Sequence, residues 1–150
     1  MSNYRKLYKN IFQTDFLMKN GKIYFGHPVN VYNTPKEEEL VNIIEAYFPQ
    51  FEVENPNKHI HSENYVKWKA EKGNGMLYFT EVVLPSMESG VFLPFEDSMF
   101  GAGVYKEAAF LHQLGKPIYE ISFNGTIANM TLDEARNLSV PETRERVYKK

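Results

Sequence analysis

Lys22-Ile23-Tyr24-Phe25-Gly26-His27-Pro28 is the stretch on which the fold turns. Three large apolar residues stand side by side and stop abruptly at Gly-His-Pro. A continuous apolar run of this length suits a strand covered on both faces, as in a parallel sheet, better than the alternating pattern of a half-exposed strand. A helix start follows at once. Thr34 can cap, Pro35 suits the first turn, and Glu37 completes a capping box. Leu40, Val41, Ile44, Tyr47 and Phe48 then recur at helical spacing until Pro49. One β-α unit is therefore legible between residues 22 and 49.

The same alternation continues toward the C-terminus. Phe51-Glu52-Val53 predicts a second strand, closed by Asn55-Pro56-Asn57. A more polar segment with His59, His61 and Trp68 follows, broken at Lys72-Gly73-Asn74-Gly75. Met76 to Leu84 predicts a helix, Gly90 to Leu93 a third strand, and Glu96 to Gly103 a loop. Val104, Ala108, Leu111 and Leu114 mark another helix that stops at Gly115-Lys116-Pro117, before a fourth strand over Ile118–Ile121. Thr131 with Glu134, and Ser139 with Glu142, are two further capping-box signals for short helices. This order predicts an α/β fold: a doubly wound parallel sheet, flavodoxin-like, in three α/β/α layers. Residues 1–21 read as an N-terminal extension before a domain spanning 22–150. Leu7, Ile11 and Phe12 fit a short helix there, and Phe16-Leu17-Met18 before Asn20-Gly21 fits half a hairpin.

The 150 residues fit one domain with a sizeable core. A formal net charge of −2 without a long basic run gives no support for nucleic-acid binding. The chain has no cysteine, which excludes disulfides and thiolate nucleophiles. No window approaches the roughly 18 apolar residues of a membrane span, and residues 1–10 lack a signal-peptide core. A cytoplasmic protein without membrane association is expected. Aromatic residues are 15% of the chain, with ten Tyr. Tyr can pack its ring and keep a polar tip for a ligand, so the aromatic excess serves a core or a binding site.

Doubly wound sheets bind ligands beyond the carboxyl ends of their strands, which directs attention to residues 26–33, 55–61 and 94–103. At the last of these, Gly103-Val104-Tyr105-Lys106-Glu107 opens a helix. Glu107, read as lying in the first turn, would feel the positive helix end and stay ionised. An ionised carboxylate beside a sugar can attack an anomeric carbon or stabilise an oxocarbenium-like transition state. Glu in a first turn is also common for dipole reasons alone. The loop Pro94–Gly103 places Glu96 and Asp97 near Gly101 and Gly103, either to let the backbone approach a sugar or as a plain acidic turn. His27, between Gly26 and Pro28 at the sheet edge, can touch a base or phosphate, transfer a proton, or bond locally. His59-x-His61 can ligate a metal if extended, but no third ligand stands nearby, so no metal is expected.

Gly103 to Pro117, with Gly-x-x-x-Glu at its start and Leu-Gly-Lys-Pro at its end, resembles the segment of nucleoside 2-deoxyribosyltransferases and deoxynucleotide N-glycosidases that carries their catalytic glutamate. Ile23-Tyr24-Phe25-Gly26 resembles their first strand, and the likeness runs over roughly residues 22 to 122. The resemblance implies Glu107 as nucleophile, Tyr24 as the residue that orients it, and Glu81 as the acid that binds or protonates the departing base. It further implies a nucleoside or nucleotide ligand, no cofactor, and a homo-oligomer. The chain departs from the pattern at two places. Gly101 stands where those transferases often carry an Asp that holds the sugar, which leaves that contact to Asp97, Glu96 or Ser98. Glu81 is one methylene longer than the usual Asp. Two rival readings follow from Gly101: a nucleotide-binding module without turnover, or a glutamate-dependent hydrolase of a larger, NAD-like ligand.

Overall fold

The computed structural model describes residues 20–149. The expected helix or hairpin over residues 7–18 lies outside them. Strand β1 (Lys22–Gly26) is followed by a 3-10 turn at Val29–Val31 and helix α1 (Pro35–Tyr47). Then come β2 (Glu52–Glu54), α2 (His59–Lys72) and the short α3 (Met76–Tyr78), which runs on through a π turn at Phe79–Val83 and a 3-10 turn at Leu84–Ser86. The remainder is β3 (Ser89–Phe92), α4 (Ala102–Gln113), β4 (Ile118–Ile121), β5 (Ile127–Asn129) and α5 (Val140–Val147).

The sheet order is β2-β1-β3-β4-β5. The first four strands are parallel, with Ile23 beside Val53 and Ser89, and Gly90 beside Ile118. β5 pairs antiparallel with β4. The fold is thus α/β in three layers, as expected, with one addition: β5 returns through a tight turn containing Gly125 at φ 90° and needs no crossover helix. Extended pairing also starts earlier than the apolar run, since Glu52 N–H donates to the Gly21 carbonyl and Asn20 N–H to that of Gln50.

Two apolar clusters sandwich the sheet. Ile23, Phe25, Val91 and Leu93 pack with Leu40 and Ile44 of α1 on one face. Tyr24 and Phe92 pack with Val104, Ala108 and Leu111 of α4, and with Tyr78, Phe79 and Val83, on the other. The strand pleat explains the division, because successive side chains leave opposite faces. Tyr24 is therefore delivered to the α4 side, and Gly26, two residues on, lies on the same side.

Three helical readings differ from expectation. α2 is a full helix over the polar segment that carries His59, His61 and Trp68. Its sequence is rich in Lys and Glu, with only a weak apolar stripe, so its docked face was not visible in periodicity. α4 begins at Ala102, with Gly101 as its cap residue, so Glu107 sits in its second turn. Thr131 does not cap: Asp133 accepts from Ala135 N–H at the head of a 3-10 turn over Glu134–Arg136. The capping box at Ser139 is present in both directions, whereas at Thr34 only half forms: Thr34 Oγ1 accepts from Glu37 N–H, but the Glu37 carboxylate accepts from Asn33 N–H instead of Thr34 N–H.

Candidate functional site

β1 lies between β2 and β3, and the chain leaves it first toward one edge and then returns to the other. The crevice outside the carboxyl ends of β1 and β3 is therefore the topological switch point, where sheets of this kind take ligands. A cavity of about 550 Å³ opens there, within the usual range for small-molecule sites. Tyr24 and His27 reach it from β1 and its following loop, Gly101, Gly103 and Glu107 from the head of α4, and His61 from α2.

Glu107 is 7% exposed. Its Oε2 accepts a hydrogen bond from the Tyr24 hydroxyl at 2.7 Å. No other hydrogen bond to this carboxyl exists among the described residues. Burial pushes it up to about 8, and the Tyr24 bond pulls it down without overcoming that effect. The expected ionised state at a first helical turn is thereby corrected. The helix starts five residues earlier, and desolvation dominates over the dipole, which fades beyond the first turn. Burial also raises the Tyr24 phenol well above its ordinary range, with the Glu107 charge adding to it, so Tyr24 is a fixed donor.

Gly26 makes this pairing possible. A Cβ there would stand 3.1 Å from Glu107 Oε1 and 2.6 Å from the Phe92 ring, so no side chain fits. Gly103 is different: a Cβ would meet nothing within 4 Å. Its bareness leaves the helix head open to the cavity. Gly101 lies beneath Thr143, whose hydroxyl accepts from Ala102 N–H at 2.8 Å. A residue of α5 thus supplies the cap that Gly101 cannot. Pro28 lines the cavity mouth.

His27 is held on both nitrogens. Nδ1 faces the Phe25 carbonyl at 2.8 Å and Nε2 faces Glu37 Oε2 at 2.7 Å. A carbonyl can only accept, so Nδ1 carries a proton. The ring stacks on Phe25 at 4.0 Å. His27 therefore lines the cavity with its ring while its polar atoms bond locally. Burial pushes Glu37 upward, but the His27 bond, Asn33 N–H and the Asn55 amide outweigh it and hold it below the usual carboxylate range.

Sequence reasoning did not find His61 as a cavity residue in its own right. Its Nε2 meets Glu54 Oε2 at 2.5 Å and its Nδ1 meets the Tyr78 hydroxyl at 2.6 Å. The Asn64 amide donates to that hydroxyl in turn. Helical geometry leaves His59 exposed and His61 buried, so the extended spacing a metal would need does not arise. Tyr32 and Tyr65 also line the cavity. The Tyr32 hydroxyl makes no hydrogen bond among the described residues, which leaves it free for a ligand. Nothing in a lone Tyr after Pro-Val-Asn-Val marks that role in sequence.

Two predicted residues are not brought here. Glu81 is exposed on the π turn, where Phe79 and Val83 take the inward face, and it does not line the cavity. Asp97 lines a neighbouring groove and is bound by Arg146 of α5 at 2.8 Å. Its loop is folded on itself, with Phe95 N–H donating to the Met99 carbonyl and Ser98 at φ 71°. Neither acid is placed to do what the resemblance implies. No helix among the described residues is long and apolar enough to cross a membrane. No family model, no curated protein and no solved structure matches this chain.

Proposed function

We propose that the protein cleaves, or transfers at, the N-glycosidic bond of a nucleoside or nucleotide through Glu107. The observation that carries this reading is a buried carboxyl, the one that lines the switch-point cavity among the described residues, aimed by one tyrosine hydroxyl at 2.7 Å. In this scheme the Glu107 oxygen bonds to the anomeric carbon as the bond to the base nitrogen breaks. The electron pair of that bond stays with the base. Water then opens the glycosyl ester and gives hydrolysis, while a second base gives transfer. Tyr24 acts as a positioning residue, holding one carboxylate oxygen so that the other faces the sugar. With Glu81 outside the cavity, a neutral departing base would take its proton from water.

The acceptor is decided by how well the cavity excludes water. A homo-oligomer in the cytosol, with neither nucleic acid nor membrane as partner, belongs to the same proposal. It is checked by light scattering, where a monomer would count against a site shared between copies.

One observation favours a second reading. Glu107 is buried with a single donor among the described residues, and burial pushes its carboxyl up to about 8, which lets it donate a hydrogen bond and suits a module that binds nucleotides without turnover. One experiment separates the two. The protein is incubated with panels of deoxynucleosides, nucleotides and NAD, and released base is measured for wild type and Glu107→Gln. Activity that the substitution lowers by about 10³-fold or more supports the enzyme. Binding without release supports the module. Full activity in Glu107→Gln removes the site assignment.

A further inference from the structure

Building on the reading of Glu107 as nucleophile, we propose that the ligand is the N-glycoside of a cationic aromatic base, such as a pyridinium or quaternised purine, not of a neutral one. Three features of the cavity lead to this class.

The first is its charge. Tyr24, Tyr32, Tyr65, Phe79, Phe95 and Tyr148 surround the space, and among the described residues no Lys or Arg lines it. The basic side chains of α5, Arg144 and Arg146, line the adjacent groove instead. Ring faces attract a cation and do nothing for an anion. The second is compensation. Each lining histidine is answered by its own carboxylate, His27 by Glu37 at 2.7 Å and His61 by Glu54 at 2.5 Å. Neither presents an unbalanced positive charge. Among the described residues Glu107 is the one lining carboxyl, and it has no basic partner there. A cationic ligand would supply that partner and favour its ionised, nucleophilic form.

The third is the missing acid. A neutral base leaves as an anion unless protonated, and Glu81 faces away from the cavity. A cationic base needs no proton. When Glu107 bonds to the anomeric carbon, the electron pair of the broken bond neutralises the ring nitrogen, and the base departs uncharged. Water then attacks the glycosyl ester, leaving free sugar, the Glu107 carboxylate and one released proton. The charge of the substrate does the work that the general acid would have done.

The matched probes are nicotinamide riboside, which is cationic, and its dihydro form, which is neutral and otherwise the same size. Calorimetry measures binding, and chromatography measures released nicotinamide above the no-enzyme rate. The cationic probe is expected to bind about tenfold more tightly or better. That preference should grow as pH rises through the ionisation of Glu107, with Tyr24, Tyr32, Tyr65, Tyr148, His27 and His61 as the other titratable groups that line the cavity among the described residues. Glu107→Gln should reduce it to within about twofold. The wild-type pH series gives the answer even if the variant fails to fold. Equal binding of the two probes, or preference for the dihydro form, overturns the proposal. If neutral nucleosides are then cleaved in a Glu107-dependent way, the glycosidic reading stands and only the charge preference falls. A cation preference without released nicotinamide has the opposite meaning: the ligand class holds and the covalent step falls.

Discussion

Three glutamates are buried near the mouth of this sheet, and they are treated in two different ways. Glu37 is 8% exposed and Glu54 is 4% exposed. Glu37 collects His27, Asn33 N–H, Asn55 and Asn57. Glu54 collects His61, Lys58 and Lys22. For both, burial pushes upward and the donors win, so both stay below the usual carboxylate range. Glu107, at 7% exposed, has Tyr24 alone among the described residues and is pushed up to about 8. All three are shielded from solvent, but Glu107 lies deepest, so heavier desolvation and fewer donors together decide the outcome. Saturated carboxylates tie loops together, whereas an under-supplied one keeps an acceptor free for something the chain does not provide.

The largest expected effect lies on the saturated side. Glu54→Ala would leave His61 without its carboxylate and the amines of Lys22 and Lys58 without their shared partner. Breaking a buried pair of this kind costs about 3–5 kcal/mol. Urea unfolding at pH 7 should show a midpoint far below wild type. An unchanged midpoint would mean that Glu54 is not the anchor described.

The under-supplied side should behave in the reverse sense. In the unfolded chain Glu107 titrates near 4.5, and in the folded protein at about 8. Below both values the carboxyl is neutral in either state and carries no penalty. As pH rises between them, the unfolded chain releases a proton that the folded protein keeps, so wild-type stability falls. Glu107→Gln has no such loss. Its advantage over wild type should appear above pH 4.5, grow until about pH 8 and then level off, reaching on the order of a few kcal/mol. Melting temperature measured against pH for the two proteins checks this, and parallel curves would contradict it.

The contrast between the glutamates was only partly readable beforehand. Thr34-Pro35-Lys36-Glu37 announced a helix start, and Glu37 does bond back to the Thr34 region, accepting from Asn33 N–H. Its partnership with His27 depends on a loop that turns through Asn33 at φ 61°, which no periodicity encodes. Tyr24 and Glu107 are 83 positions apart. The apolar run of β1 made the sheet legible, but only the pleat and the parallel register place Tyr24 on the α4 face. Strand periodicity carries the fold well because burial on both faces leaves a continuous apolar run. α2 escaped because its docked face is narrow, and β5 because three residues at an edge leave almost no pattern.

A smaller effect is expected from Tyr24→Phe. This removes the one donor to Glu107 among the described residues and leaves the ring packing against Phe79 and Phe92. Glu107 should rise further, since the Tyr24 bond is what opposes burial. Base release should drop by about ten- to a hundredfold, and the rising limb of its pH profile should move to higher pH. A drop without that displacement would indicate a purely structural role for the tyrosine.

The smallest effect should come from Glu81→Ala, and it is the sharpest test of the boundary between the two kinds of carboxylate. Glu81 is neither saturated nor under-supplied in a cavity: it is exposed, in the first turn of a π segment whose apolar residues Phe79 and Val83 face inward. Water solvates its charge, so the chain neither spends donors on it nor gains reactivity from it. Removing it should leave base release and its pH profile within about twofold of wild type, as for surface substitutions that change little. A loss of a hundredfold would mean that the π turn rearranges to carry Glu81 inward when a ligand binds. A departing neutral base would then have its proton donor, and the argument from the missing acid would fail.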